Sequence, residues 1–460
     1  MTFVNELKKI CPNNFLDKKQ DIFVYAYDTS QNPDEIILPL AVVFPKTTKE
    51  VSEILKLCNK NKITVVPRAQ GTNHCGATRP TKNSIIIHFS KMNNILKIDK
   101  ENLIAIVEPN VIIGDLNKKL DELNLFFPPD PSNLAVSTIG GAISLCAGGP
   151  RTFKYGNTKD YVINLEVVLA DGTIIQTSKN LAKNVTGYNI TSLFCGCEGT
   201  LGIITKATLK LIPKPQTRLL TLAYFDTLKE AALCVNSIIN SGFIPSTLDL
   251  LDKITLQTIE KFNPCGLLCD KEAVLLIELD GFRQSVLYEL EILKEILKKS
   301  NSSKIIQAKN EIENENIWRA RRSAFSALTQ LKPNVITEDI VVPKSKIVDF
   351  VLKIQELSKK YNIIAATMGH AGDGNIHPNF ALDLSDKKEK ENFKKLKDEL
   401  FYYALSIDGT LSGEHGIGVS KKKYLEKALD KNAYDLMKNL KKFFDSNNIL
   451  NKDKTLWLKN

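Results

Sequence analysis

No apolar run in this 460-residue chain approaches the ~18 residues of a membrane span, which argues against an integral membrane protein. The opening residues, Met1 to Cys11, lack an apolar core followed by small residues, so no secretory signal is expected and the chain is placed in the cytoplasm. Nine cysteines are present, but none forms a Cys-x-x-Cys pair, which speaks for reduced thiols and against an iron–sulfur cluster held by this chain. No Gly-x-Gly-x-x-Gly follows a first strand, and no Gly-x-x-x-x-Gly-Lys-Ser/Thr occurs. The nearest approach, Gly372-Asp-Gly374-Asn-Ile-His377, lacks the third glycine. A Rossmann dehydrogenase and a P-loop enzyme are therefore disfavoured. Arginine is scarce, and the net charge of +10 comes mostly from lysine. Runs such as Lys421–Lys423 and Lys441–Lys442 read as solvated helix faces. Without an aromatic-plus-basic motif, nucleic acid is not an expected partner; loose attachment to the inner face of a membrane stays open.

Histidine is scarce too, with five in the chain, yet three of them fall in two short motifs. Residues 369–379 read Gly-His-Ala-Gly-Asp-Gly-Asn-Ile-His-Pro-Asn, and residues 413–418 read Gly-Glu-His-Gly-Ile-Gly. Asp373-Gly374 forms a tight turn, and the flanking stretches Ile363–Ala366 and Phe380–Leu382 read as strands. His370 and His377 would thus converge on the two arms of a bend. Two imidazoles and the carboxylate of Glu414 can hold a divalent metal with positions left open, and zinc, manganese and iron all accept such a set. His415 is then left as a candidate proton acceptor. The plainer explanation for any one of these histidines is a structural or exposed side chain.

The chain is long enough for two or three domains. Residues 1–35 read as a lead-in, with an irregular segment ending at Pro33. A β/α pattern begins near Leu38. Thr47 and Glu50 form a capping box for a helix, a strand covers Ile63–Val66, and a loop runs from Pro67 to Gly76. Strands at Ile85–His88 and Leu103–Val107 and a helix at Asp115–Leu123 follow. Between Pro128 and Gly202 glycine, serine and threonine are dense. Such loops let backbone N–H groups approach a phosphate or a flat ring, though tight turns between strands would also explain them. After Pro213 and Pro215 the order changes to strand Leu219–Phe225, helix Leu228–Asn240, strands Thr247–Leu251 and Ala273–Leu279, helix Ser285–Lys298 and strand Lys304–Ala308, a split βαβ arrangement. A helix over Trp318–Leu328 carries Arg319, Arg321 and Arg322, a cluster suited to carboxylates or to a surface ion-pair face.

Three motifs in this order, Gly-Cys-Glu-Gly-Thr-Leu-Gly-Ile (196–203), Gly-His-Ala-Gly-Asp-Gly-Asn-Ile-His-Pro (369–378) and Ser-Gly-Glu-His-Gly-Ile-Gly (412–418), resemble the FAD-linked oxidases of the vanillyl-alcohol oxidase and p-cresol methylhydroxylase type. Within them the chain is most similar to the glycolate oxidase flavin subunit and the D-lactate and D-2-hydroxyglutarate dehydrogenases, from about residue 36 onward. The resemblance implies an α+β fold. A two-part FAD-binding domain of the p-cresol methylhydroxylase type would span 36–215, a ferredoxin-like cap and metal-binding domain 216–425, and a helical segment, 426–460, would return to the FAD domain.

It further implies that Arg68, Ala69, Gln70, Gly71, Thr72, Asn73 and Gly76 wrap the FAD pyrophosphate. Pro131, Ser132, Thr138, Gly140, Gly141, Ala142, Gly148, Gly149, Glu198, Gly199, Gly202, Ile203 and Asn451 would complete the flavin site. His370, His377 and Glu414 match the metal ligands, zinc being expected first; His415 matches the general base, and Arg321 and Asn379 match substrate-gripping positions. Some positions depart from the pattern. Ala69 and Ala77 replace loop glycines, Ala142 and Cys146 stand where asparagines are common, and Lys452-Asp453 replaces Pro-Gly. Relatives with covalent flavin carry histidine four residues after the arginine, where Thr72 stands and His74 lies two further on, so FAD is expected to be non-covalent. The implied activity is oxidation of a small 2-hydroxy acid to the 2-keto acid, with hydride passing to flavin N5. The electrons would go on to an iron–sulfur subunit or a quinone-linked acceptor. A non-haem iron oxygenase, a non-redox relative of the alkyl-dihydroxyacetone-phosphate synthases and a non-catalytic FAD-binding subunit are the rivals; the oligomeric state is left open, a homodimer included.

Overall fold

The computed structural model describes residues 3–30 and 36–455, so Pro33, the expected end of the lead-in, lies outside the described residues. The chain forms two compact units. The first comprises 1–148, 157–214 and 414–460; the second comprises 149–156 and 215–413. Besides the short excursion at 149–156, the chain crosses between the units at Lys214/Pro215 and at Gly413/Glu414. Among the described residues no helix is long and apolar enough to cross a membrane.

The first unit holds two larger sheets and a two-stranded one, Leu125–Phe126 against Ile212–Pro213. One has the order Phe15–Leu16, Ala41–Val43, Ser84–His88, Thr64–Arg68, and its last three strands are parallel. The helix Thr48–Asn61 covers it and starts on the expected capping box: the Thr47 hydroxyl accepts from the Glu50 N–H, and the Glu50 carboxylate accepts from the Thr47 N–H. Val51, Ile54, Leu55 and Cys58 on its inner stripe pack with Val65, Ile85 and Ile87 in one core cluster. The second sheet is antiparallel, in the order Ile95–Asp99, Ile104–Val107, Ile203–Lys210, Val162–Val168, Ile174–Gln176. The expected helix at Asp115–Leu123 is found at Ile113–Asp121. The last described helix, Lys431–Phe444, is followed by a segment in which Leu450 bridges Val65, so that segment is built onto the first sheet's edge.

The second unit is built on one large sheet. Thr217–Phe225 and Thr247–Asp252 both pair antiparallel with Ala273–Gly281, which lies between them; they are therefore parallel to each other and joined by the helix Leu228–Ile239. Ala273–Gly281 and Lys304–Gln307 likewise flank Thr217–Phe225 and are joined by the helix Arg283–Lys299. These are two interlocked split βαβ units, as the order of elements predicts. The sheet continues through Ile364–His370 and Asn375–Leu382 to Asn334–Thr337. Both of these long strands run further than expected and carry the histidines within them. Gly369 allows this, since a Cβ there would lie 2.4 Å from the Asn375 carbonyl oxygen and force the ladder apart. The helix expected over Trp318–Leu328 is instead two, Glu311–Arg322 and Ala324–Leu328, which meet at Ser323.

Candidate active site

In an antiparallel ladder, residues directly opposite one another share a face. Asp249 pairs with His370, His370 with Asn375, Met368 with His377, and Ala366 with Asn379. Strand alternation therefore places Asp249, His370, His377 and Asn379 on one face of the sheet. The His370 and His377 rings meet at 5.1 Å between centroids, nearly edge to face. Both are buried.

Asp249 is fully buried and joins two of the expected site residues. Its Oδ1 lies 2.7 Å from His370 Nδ1, and its Oδ2 accepts from Arg321 Nε at 2.9 Å and lies 2.9 Å from a terminal nitrogen of the same guanidinium. Burial pushes the Asp249 carboxyl up, but His370 and Arg321 outweigh it and hold the group below the usual carboxylate range. Arg321 thus pairs with Asp249 side-on, and the end-on edge of its fork points elsewhere. Asn379 is occupied within the sheet. Its amide donates to the His377 carbonyl at 2.8 Å and to the Ala366 carbonyl at 3.3 Å, and its oxygen accepts from Thr337 Oγ1 at 2.6 Å.

A second buried carboxylate, Asp339, accepts from Asn375 Nδ2 at 2.7 Å, Ser412 Oγ at 2.5 Å and the Gly413 N–H at 3.0 Å. Its Oδ1 lies 3.9 Å from His377 Nδ1, which is an electrostatic contact rather than a hydrogen bond. A Cβ on Gly413 would fall 2.2 Å from Asn375 Nδ2, so a side chain there would have to displace that amide. Glu414 follows directly in the chain.

The first unit gathers the remaining expected residues. In the loop after Thr64–Arg68, Arg68 donates to the Tyr27 carbonyl at 2.6 Å, and a Cβ on Gly71 (φ +69°) would sit 2.4 Å from the Arg68 guanidinium. Asn73 ties the loop to itself: its amide donates to Asp28 and Thr78, and its oxygen accepts from the Cys75 and Ala77 N–H groups. Further on, Thr138 caps the short helix Ile139–Leu145 through the Gly141 N–H, and a Cβ on Gly140 would lie 2.9 Å from the Pro109 carbonyl oxygen. Ser132 is exposed. Gly199 (φ +69°) packs under Pro67, and Gly202 packs beneath Val167 and Phe194.

Glu198 is a hub. Its carboxylate accepts from the Ile417 N–H at 2.8 Å and the Gly418 N–H at 2.9 Å, which fixes the segment that carries His415. Burial pushes this carboxyl up against the pull of the two N–H groups. Asn451 donates to the Glu198 carbonyl at 2.7 Å and the Ala77 carbonyl at 3.0 Å, and the buried Lys454 donates to the carbonyls of Gly76, Ala77 and Arg79. Burial lowers the Lys454 pKa to about 8. The same clamp sets the His415 ring 5.0 Å from that of His74.

Two family descriptions match this chain: "FAD binding domain" over residues 39–178, and "FAD linked oxidases, C-terminal domain" over residues 214–455. The chain belongs to the FAD-linked oxidases. It is 46% identical to glycolate oxidase subunit GlcD of Bacillus subtilis over 96% of this chain and 94% of that protein. It is 32% identical to the mitochondrial cytochrome-linked D-lactate dehydrogenase of Arabidopsis thaliana over 98% of this chain and 80% of that protein. Among solved structures it resembles p-cresol methylhydroxylase with substrate bound, with a TM-score of 0.82 at 18% identity over 98% of this chain and 96% of that one, a likeness of fold. The expected fold, a p-cresol methylhydroxylase-type FAD-binding domain plus a second domain, is the one found.

As an FAD-linked oxidase the protein is an enzyme that carries out flavin-dependent oxidation. The first unit carries bare backbone in its loops at Gly71 and Gly199 and in the first turn of the helix Ile139–Leu145 at Gly140, where a side chain would collide with the protein itself, and such backbone suits the close approach of the cofactor. The second unit's two converging imidazoles, one backed by a carboxylate, are a donor set that suits a divalent metal. Sequence reasoning missed Asp249, Asp339, the Glu198 clamp on Ile417 and Gly418, and the neighbourhood of His74 and His415.

Proposed function

We propose that this FAD-linked oxidase converts a small 2-hydroxy acid of the glycolate or D-lactate type into the 2-keto acid. The relatives named for glycolate and D-lactate support the substrate class. The observation that carries the reading is the sheet face that bears Asp249, His370 and His377, two converging imidazoles whose backing carboxylate also holds the Arg321 guanidinium. In this reading His370, His377 and Glu414 hold a divalent metal, zinc first and manganese or iron as alternatives. Asp339 fastens Gly413, the residue before Glu414, and so governs where that carboxylate starts.

The end-on edge of Arg321 receives the substrate carboxylate, because a planar fork binds two oxygens at once. His415 accepts the proton of the substrate hydroxyl, a contribution of roughly 10²–10⁴ in rate. When bound, the metal supplies Lewis acidity towards that hydroxyl and the flavin supplies a two-electron acceptor. FAD is held non-covalently, since Thr72 and not histidine occupies the loop position that relatives use for attachment. The electrons leave to a separate iron–sulfur subunit or quinone-linked acceptor, a reading supported by the word "subunit" in the name of the Bacillus subtilis relative. The enzyme works in the cytoplasm or against the inner face of its membrane.

The test is anaerobic bleaching of the purified yellow protein by a panel of 2-hydroxy acids of both hands, with metal content measured in parallel. Glycolate or D-lactate is expected to bleach the flavin. His415→Ala is expected to keep flavin and metal while bleaching falls by about 10²–10⁴-fold. No bleaching by any 2-hydroxy acid refutes the reading; unchanged bleaching in the variant removes His415 from it. A relative that uses FAD without net oxidation would also leave an external dye unreduced.

A further inference from the structure

A carboxylate only accepts hydrogen bonds and a guanidinium only donates them. Asp249 lies between the two kinds of neighbour, with Oδ1 on His370 Nδ1 and Oδ2 on Arg321. Nδ1 of His370 must therefore carry a proton. In the neutral ring this leaves the lone pair on Nε2, the nitrogen remote from the Asp249 strand. Neither neighbour is near in sequence: His370 is 121 residues and Arg321 72 residues from Asp249. The carboxylate is fully buried.

We propose that Asp249 is a positioning residue that selects the tautomer of His370, keeping Nε2 available to a metal, and that Arg321, by occupying Oδ2, holds the plane of the carboxylate so that Oδ1 stays on His370 Nδ1. This rests on the reading of His370 as a ligand.

The proposal makes Asp249→Asn, an isosteric change, a specific lesion. The amide oxygen must turn to Arg321, because two N–H donors already point there. The NH₂ group then faces His370 Nδ1, which can only accept. The ring proton moves to Nε2 and covers the lone pair a metal would use. A second change, Arg321→Met, removes the constraint: the amide of the double variant can turn over, offer its oxygen to His370 and restore the original tautomer.

The experiment uses the flavin-loaded protein treated with a chelator, with zinc as the probe. Zinc affinity is measured by competition with a chromophoric chelator, and the His370 ring tautomer by ¹⁵N-histidine NMR of the zinc-free protein. The wild type is expected to show a protonated Nδ1. Asp249→Asn is expected to keep its flavin, show a protonated Nε2 and bind zinc about 10–100-fold more weakly. Asp249→Asn with Arg321→Met is expected to recover most of that loss, which a merely structural role for Asp249 does not predict. If His370→Ala loses zinc while Asp249→Asn binds it like the wild type, the inference fails and the ligand reading stands. If His370→Ala also binds zinc like the wild type, both fail. A wild-type ring protonated at Nε2 overturns the inference whatever the variants do.

Discussion

Acidification should loosen the flavin-binding unit through one residue, His88. It ends the strand Ser84–His88 directly opposite Arg68, the first residue of the loop assigned to the cofactor. Its ring sits 5.5 Å from that of Tyr25 and 5.3 Å from that of Phe44, and its Nδ1 accepts from the Ser90 N–H at 3.2 Å. Burial, and then the charge of Arg68, push its pKa down to about 4. The unfolded chain keeps a histidine near ~6.5. Between those values the unfolded state takes up more protons than the folded one, so stability falls as pH falls through that window and is unaffected by this group above it. From pH 7 to pH 5 the linkage amounts to about 2 kcal/mol.

Other groups titrate over the same range, so the variant His88→Phe isolates the effect. Phenylalanine keeps the aromatic cluster with Tyr25 and Phe44 and loses the Ser90 bond, at a cost of about 1 kcal/mol at pH 7. Equilibrium urea unfolding at pH 7, 6 and 5, with flavin release followed in the same samples, gives two curves of stability against pH. The wild-type curve should fall by about 2 kcal/mol more than that of the variant. Parallel curves would refute the account, since they would mean that the folded ring binds its proton as easily as the unfolded one.

Two further changes probe the clamp around the cofactor loop. Gly418→Ala places a Cβ 2.2 Å from the Cys75 carbonyl oxygen at a φ of +48°, so it should cost about 1–3 kcal/mol and displace His415. A melting temperature and a rate of flavin bleaching equal to those of the wild type would show that the segment has room. Lys454→Met strips the donor from the carbonyls of Gly76, Ala77 and Arg79, so flavin should be lost on dialysis from the variant and kept by the wild type. Equal flavin content in both would remove Lys454 from the clamp.

Local rules made much of the fold legible. The capping box at Thr47 and Glu50 marked its helix, and the apolar run after Thr227 marked another at Leu228–Ile239. The continuous apolar run Ala-Val-Leu-Leu-Ile marked the strand found at Ala273–Gly281. The strands Val162–Val168 and Ile174–Gln176 went unnamed although the first, Val-Ile-Asn-Leu-Glu-Val-Val, is rich in β-branched residues, because the stretch around them was read for its glycine, serine and threonine. Their place in a sheet depends on Ile203–Lys210, a partner that no local pattern identifies. The break at Ser323 was also invisible, since Arg319 to Leu328 keeps helical composition across it.

The histidines and the carboxylates behind them differ in legibility for a physical reason. His370 and His377 share a bend of eight residues with glycines at its turn, so their convergence follows from short-range geometry. Asp249 meets His370 only through the register of Thr247–Asp252 against Ile364–His370. Asp339 meets Ser412 from 73 residues away. A weak signal for Asp249 was nonetheless present. In Thr-Leu-Asp-Leu-Leu-Asp, alternation puts Asp249 in phase with Thr247 and Leu251, and all six residues prove to be buried. An unpaired carboxylate in such a strand would cost several kcal/mol, of order 2–7 even for a neutral polar group. A charged residue in a doubly covered strand therefore predicts a cationic or hydrogen-bonding partner across the sheet. The scarce residues able to serve, a few arginines and five histidines, narrow the search before any coordinates are known.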